Sequence, residues 1–385
     1  MDFQELAAWL RLLQTPGIGN VGARRLLTAF GPPESVLRQS ETALTRVVSV
    51  PQAQALQREP PDLARLLQTT WDWLSVAPQS RRILSLGDAL YPQLLLQTED
   101  PPPLLYAVGR SEVWSGNLLN TRAHACLAVV GSRNPSPQGG ANARLFARAL
   151  AEAGLTIVSG MALGVDGAAH EGALDGAATD GLATVAVVGT GLDRVYPKQH
   201  RALAHLIAER GVLLSEFALG TTPQPAHFPQ RNRIISGLSR GTLVVEAALR
   251  SGSLITAQLA TEQGREVFAI PGSIHTSQAR GCHALIKQGA KLVESAQDVL
   301  EELQWAFGAP TPTTTAADAD ADAPVAAPHE SALLQALGYD PNSLDALQAR
   351  TGLPTPELLA QLMTLELHGQ VARLPGGLFQ RLVLT

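Results

Sequence analysis

With 385 residues, 45% of them hydrophobic and 16% charged, the chain can build two or three well-buried cores, which 4% aromatic content leaves Leu, Val and Ala to fill. No apolar run reaches membrane-span length, Met1-Asp2-Phe3-Gln4-Glu5 lacks the basic start of an export signal, and Cys126 and Cys282 build no disulfide framework, so the expectation is a cytoplasmic protein without membrane contact. The net charge of −5 weighs against nucleic acid only on average, because binding follows local fields and basic and acidic residues nearly balance between 127 and 236.

Residues 1–75 read as helical. Within them, Pro16-Gly17-Ile18-Gly19 joins two helical stretches as a helix-hairpin-helix does, and the second helix is expected to bury Val21, Leu26 and Leu27. Such a hairpin either touches a DNA backbone through its turn amides or serves only as a packing bundle. Residues 76–120 form a bridging piece with short strands at 83–86 and 104–108, which extend the sheet that follows.

That sheet is expected from apolar runs at 127–130, 156–159, 184–188, 212–215, 243–245 and 267–270, alternating with helical patterns at 141–153, 200–210 and 255–263. Strands that are apolar throughout are buried on both faces, as in a doubly wound, mostly parallel α/β sheet. The domain spans 76–308. A linker over 309–328 follows, rich in Pro, Thr, Ala and Asp and poor in bulky apolar residues.

The last segment, 329–385, shows helices at 330–337, 344–350 and 356–368, the last with Thr355 as N-cap, then a hairpin of 370–374 and 378–383. Three helices and a hairpin describe a winged helix. Its would-be recognition helix carries Glu357 and Glu366 and no Lys or Arg, a poor composition for a DNA groove, so protein contact is at least as good a reading.

The turns after the strands hold small and basic residues beside expected helix N-termini, which suits phosphate. Arg133, Lys198 and Arg231 are the cations placed there. Arg133 reaches either a phosphate or a carboxylate such as Asp166. Lys198 opposes the dipole of the helix it starts unless an anion sits there. Arg231 and Arg233 point nearly opposite ways, so one faces a ligand and the other pairs with Glu216 or Glu246. Phe228 either stacks on a base or packs in the core. Asp166 and His170 share a helix face, read as a cap and a packed histidine with no third metal ligand. Ser159, Ser215 and Ser253 lack nucleophile-elbow spacing, and neither a P-loop nor a full dinucleotide fingerprint is present.

Taken together, Val130-Gly131-Ser132-Arg133, Ser159-Gly160-Met161-Ala162-Leu163-Gly164-Val165-Asp166, Gly191-Leu192-Asp193 with Tyr196-Pro197, Phe228-Pro229-Gln230-Arg231-Asn232-Arg233, Val245-Glu246-Ala247 and Ser251-Gly252-Ser253 resemble the DNA-processing protein A family (DprA, also called Smf). The resemblance implies an extended Rossmann-like domain between an N-terminal SAM-like or helix-hairpin-helix domain and a C-terminal winged-helix-like domain. It implies a homodimeric, non-catalytic cytoplasmic protein without cofactor or metal, which binds and protects single-stranded DNA in natural transformation. Family members load RecA recombinase onto strands displaced from single-strand-binding protein. Matching DNA-binding positions are Arg133, Lys198 and Arg231, then Gly131, Ser132, Ser159, Gly160 and Phe228. The rival is a Rossmann-like nucleotide hydrolase of the lysine-decarboxylase-like, phosphoribohydrolase group. That group carries Pro-Gly-Gly-x-Gly-Thr ahead of a glutamate, whereas here Ser239-Arg240-Gly241-Thr242 precedes Glu246 without paired glycines. An adaptor acting only through its flanking domains is a third reading.

Overall fold

The structure is a computed structural model that describes residues 1–304, 332–339 and 341–382. The expected linker lies outside the described residues, as do Glu330 and Val383 at the ends of expected elements. Nine strands form one sheet: β1 (Arg81–Ser85), β2 (Leu104–Gly109), β3 (Cys126–Val130), β4 (Thr156–Ser159), β5 (Thr184–Val187), β6 (Val212–Ser215), β7 (Gly241–Val244), β8 (Glu266–Ala269) and β9 (Lys291–Leu292). Their order is β1-β2-β6-β5-β4-β3-β7-β8-β9. β1 pairs antiparallel to β2 and β2 to β6, and the rest is parallel.

The uniformly apolar runs are explained by two cores. In β3, Cys126, Ala128 and Val130 enter one layer while Leu127 and Val129 enter the other, as strand alternation requires. β7 and β8 start at Gly241 and Glu266, ahead of the apolar residues that mark them: Gly241 and Thr242 are buried without a large apolar side chain to announce it, and Glu266 is exposed on the ladder. β9 is two residues long with both exposed, so it left no apolar signal. Helices cover both faces. The longer ones preceding the linker are α1 (Phe3–Gln14), α2 (Asn20–Phe30), α3 (Leu63–Val76), α4 (Pro137–Glu152), α5 (Val165–Gly176), α6 (Arg201–Arg210), α7 (His227–Gly237), α8 (Ser253–Glu262) and α9 (Arg280–Lys287). Cys126 lies in β3 and Cys282 in α9. Both are free and buried, and burial pushes their thiols up to about 12 and about 11.

The antiparallel extension gives the N-terminal helices a surface. Ile83, Leu104 and Tyr106 point out of the main core and pack against Leu6, Trp9, Leu10, Leu63 and Trp73. A second, polar attachment runs between α2 and α7. Arg24 pairs with Asp100, Asp100 also takes Arg233 Nε at 2.9 Å, Arg233 reaches Glu216, and Asn20 Nδ2 donates to Glu216 at 3.0 Å. Glu216 is nearly buried, and burial raises its carboxyl against the pull of Arg233. The hairpin of α1 and α2 is present, with Leu26 buried and Leu27 packed against its core. Val21, expected to be buried, is 49% exposed because it faces the cavity beside the hairpin turn.

After the linker, α10 (Ala332–Leu337), α11 (Leu344–Thr351) and α12 (Thr355–Leu367) enclose Leu333, Leu337, Leu347, Leu358, Leu362, Val371 and Phe379. β10 (Asn342–Ser343), β11 (Val371–Leu374) and β12 (Leu378–Arg381) complete a winged helix in the order β10-β12-β11. The N-cap of α12 is Pro354 and not Thr355, which sits one residue inside and bonds Gln348 Oε1 at 3.2 Å.

Removing one partner of a nearly buried pair costs about 3–5 kcal/mol when the other charge is left uncompensated, and here Asp100 still holds Arg233, which sets the loss at the lower end of that range. Glu216→Ala is therefore expected to lower the urea midpoint by several times more than Arg65→Ala, whose pair with Asp62 is 81% and 79% exposed. Equal midpoints for the two variants would show that the α2–α7 network carries no stability.

Candidate functional site

From β3 the chain builds outward through β4 and β5 to β6, then returns to lay β7 on the other flank of β3. Loops leaving β3 and β7 diverge, and a crevice opens at this switch point. It is about 540 Å³, lined by 131–134 after β3, 250–253 after β7, and Phe228, Arg231 and Asn232 of α7. Gly252, Ser253 and Thr256 bring the start of α8 to its wall.

Arg231 forms the floor. It is 4% exposed, donates Nη1–H to Val187 O at 2.9 Å and places Nη2 3.7 Å from Asp166 Oδ2. Burial raises the Asp166 carboxyl, and Arg231 pulls back against that rise. Gly160 makes room for the guanidinium, since a Cβ there would overlap Arg231 Nη1. Arg231 thus pairs internally with Asp166, the carboxylate the sequence offers to Arg133, so both Arg231 and Arg233 hold internal partners where one was expected to. Arg233 takes the predicted Glu216.

Helix N-termini supply less free positive potential than their number suggests. Glu246 accepts Ser136 N–H at 2.9 Å and Ser136 Oγ–H at 2.5 Å, so its carboxylate occupies the start of α4. A Cβ on Gly139 would overlap that carboxyl, which fixes glycine there. In a dinucleotide-binding fold the pyrophosphate sits on this first helix, and here the chain's own anion holds the place. Asp166 lies in the first turn of α5 as an acceptor from Ala162 N–H, behind the N-cap Gly164 and not as the cap itself.

Free charge stands at the mouth. Arg133 and Arg250 are exposed, and among the described residues neither pairs with a carboxylate. The Arg133 guanidinium lies 4.8 Å over the Phe228 ring, and Phe228 lies 5.9 Å from the ring of Tyr196, itself 44% exposed. Phe228 is half-buried at the rim, so its face is offered to solvent rather than sealed in the core.

The eight expected contact residues therefore divide. Gly131, Ser132, Arg133, Phe228 and Arg231 line the first cleft. Ser132 is mostly buried and its Oγ accepts Asn134 N–H at 3.1 Å, a turn-forming role. Ser159 is fully buried with Oγ–H committed to Val129 O at 2.6 Å, and Gly160 is packed beneath Arg231, so both build the floor instead of the contact surface. Strand ends point half their side chains down into the sheet, which residue type alone does not reveal. Lys198 is exposed but lines a neighbouring cleft. Sequence reasoning missed Arg250 and Tyr196 as surface groups, although Ser251-Gly252-Ser253 and Tyr196-Pro197 lay in its motifs; the contact of Tyr196 with Phe228 of α7 is visible only in the fold.

The other candidates hold less charge. The cavity at the hairpin turn sets Arg25 against Asp100, and Gln52 Nε2 donates to Gly17 O at 2.7 Å. On α12, Leu359, Met363 and Leu367 are 43%, 64% and 79% exposed at four-residue spacing, a face with no cation. Among the described residues no three side chains gather as metal ligands, and no helix is long and apolar enough to cross a membrane. His170 is fully buried, bonded through Nδ1 to Thr184 Oγ1 at 2.7 Å, and desolvation with the charges of His200 and Arg231 lowers its pKa to about 3.

The model of the family described as DNA recombination-mediator protein A matches residues 82–304, and that of the DprA winged helix domain matches 312–377. Protein Smf of Escherichia coli is 43% identical over 313 residues, 81% of this chain and 80% of the relative. The X-ray structure of DNA processing protein A from Streptococcus pneumoniae superposes with a TM-score of 0.61 at 37% identity, covering 77% of this chain and 97% of that one. A solved structure of DNA processing protein A from Helicobacter pylori, described for its single-stranded DNA binding mode, gives a TM-score of 0.50 at 31% identity, covering 58% of this chain and 95% of that one.

A neutral buried His170 titrates near 6.5 once unfolded and near 3 in the fold, so the unfolded chain takes up the proton first. Its contribution is complete above about pH 6.5 and declines as pH falls toward 3, at about 1.4 kcal/mol per pH unit. His170→Gln is expected to flatten the loss of urea stability between about pH 6.5 and 5. An unchanged slope in that window would contradict the assignment.

Proposed function

Because the chain belongs to the DNA recombination-mediator protein A (DprA/Smf) family, we propose that it binds single-stranded DNA in the cleft between the ends of β3 and β7. The observation that carries this reading is the Arg133 guanidinium over the half-open face of Phe228, 4.8 Å apart at the cleft mouth. One group answers a phosphate, the other offers a flat face to an unpaired base, and a duplex hides that base face. Arg250 and the start of α8 supply further positive potential on the opposite wall. Arg231 acts from beneath, setting Phe228 three residues along the same helix face. Lys198 meets the strand where it leaves the cleft past Tyr196, and Gly131 with Ser132 shapes the turn that presents Arg133.

The finer reading is a non-catalytic homodimer of the cytoplasm. It protects incoming strands in natural transformation and delivers them to RecA in place of single-strand-binding protein, with 1–75 and 329–385 as partner-contact domains around the DNA-binding domain 76–308. Family membership supports it, and the cation-free face of α12 fits protein contact better than a DNA groove. A nucleotide hydrolase is not favoured, because Glu246, the one glutamate in register with that group's motif, is turned into the start of α4.

Arg133→Ala and Phe228→Ala are each expected to weaken labelled oligo-dT binding by roughly 10–100-fold, the scale of about 1–3 kcal/mol per stacked base. Arg133→Ala also lowers the dependence of affinity on salt. Duplex of equal length binds more weakly than oligo-dT to the unaltered protein. Undiminished affinity in both variants, with their thermal unfolding unchanged, would overturn the proposed site.

A further inference from the structure

A second cleft of about 720 Å³ is walled by Arg81, Arg194, Lys198, Arg201 and His205, and Lys198 follows Tyr196 by two residues. Four permanent cations meet one carboxylate there, Asp193, in a chain that is acidic overall. That carboxylate is spent: Oδ2 takes Arg194 at 2.8 Å, and Oδ1 takes Gly220 N–H at 2.9 Å. Arg81 is likewise committed, donating to Trp73 O at 2.8 Å and lying 5.1 Å over the Trp73 ring. Lys198 and Arg201 are exposed and, among the described residues, have no carboxylate partner.

Lys198, Arg201 and His205 are three and four residues apart along the helical stretch that becomes α6, so they share one face. Both charged members sit at its start, where no acidic residue offsets the dipole. Like charges at this spacing, at the wrong end of a helix, oppose the fold unless an anion lies between them. Tyr196, two residues before Lys198 in the chain, meets Phe228 of the first cleft with ring centroids 5.9 Å apart.

We propose that the single strand continues past Tyr196 into this second cleft, where Arg201 and His205, with Lys198, take further backbone phosphates and lengthen the bound segment. The inference rests on single-strand binding at Arg133 and Phe228 and adds a direction and a second set of contacts to it. A flexible unpaired strand can bend between two clefts, whereas a stiff duplex would need the two to be collinear.

The test compares oligo-dT of about 5 and about 15 nucleotides, spanning the roughly 4–16 nucleotide footprints of single-strand binders. Arg201→Ala with His205→Ala removes two exposed side chains from α6. Affinity of the longer strand is expected to fall about tenfold, and its salt slope by about 0.7 for each phosphate no longer neutralised. Affinity of the shorter strand stays unchanged. A longer strand that binds the variant and the unaltered protein equally well overturns the extended track, as does equal weakening at both lengths. Failure of the unaltered protein to bind either length would instead overturn the first cleft.

Discussion

The buried pair of Arg231 and Asp166 is the constraint on which the cleft depends. It fastens α7 to α5 and, through Val187 O, to the end of β5, in a site that penalises either charge alone. Gly160 exists at the end of β4 because the guanidinium occupies the volume of any Cβ. With Arg231 fixed, Phe228 is fixed three residues earlier on the same helix face, and its ring stands at the rim under Arg133. Two residues later, Arg233 leaves the opposite side of α7 to reach Glu216 and Asp100, which ties in the N-terminal hairpin. A single helix thus sets both the cleft floor and the seat of the flanking helices.

An acidic chain makes a basic rim by disposing of its carboxylates internally. Glu246 is consumed at the start of α4, Asp166 under Arg231, Glu216 under Arg233 and Asp193 beside Arg194. Arg133, Arg250, Lys198 and Arg201 then face solvent with no carboxylate paired to them among the described residues. Local field, not net charge, is what a polyanion meets. The same arrangement explains why the first helix N-terminus is no pyrophosphate site although the fold would allow one.

The sheet was legible in the sequence because double burial writes itself as uninterrupted apolar runs, as in β3 and β4. The winged helix was legible from helical periodicity and the Pro375-Gly376-Gly377 turn. The cleft was legible only in part. Residue type marked Arg133 and Phe228, but no pattern states that Ser159 points down, that Arg231 finds Asp166 across the sheet ends, or that Lys198 opens onto a separate cleft. Those facts depend on which loops the crossover brings together. β9 and Arg250 were missed for a related reason, since exposed residues carry no burial signature.

Amide hydrogen exchange with and without saturating oligo-dT tests the central claim most directly, because it reads every loop of the sheet edge at once. Protection is expected in segments 131–134, 227–232 and 250–254, at the convergence of the β3 and β7 loops with α7. Protection confined to α12 or to the hairpin turn at 15–19, with those segments unchanged, would contradict it.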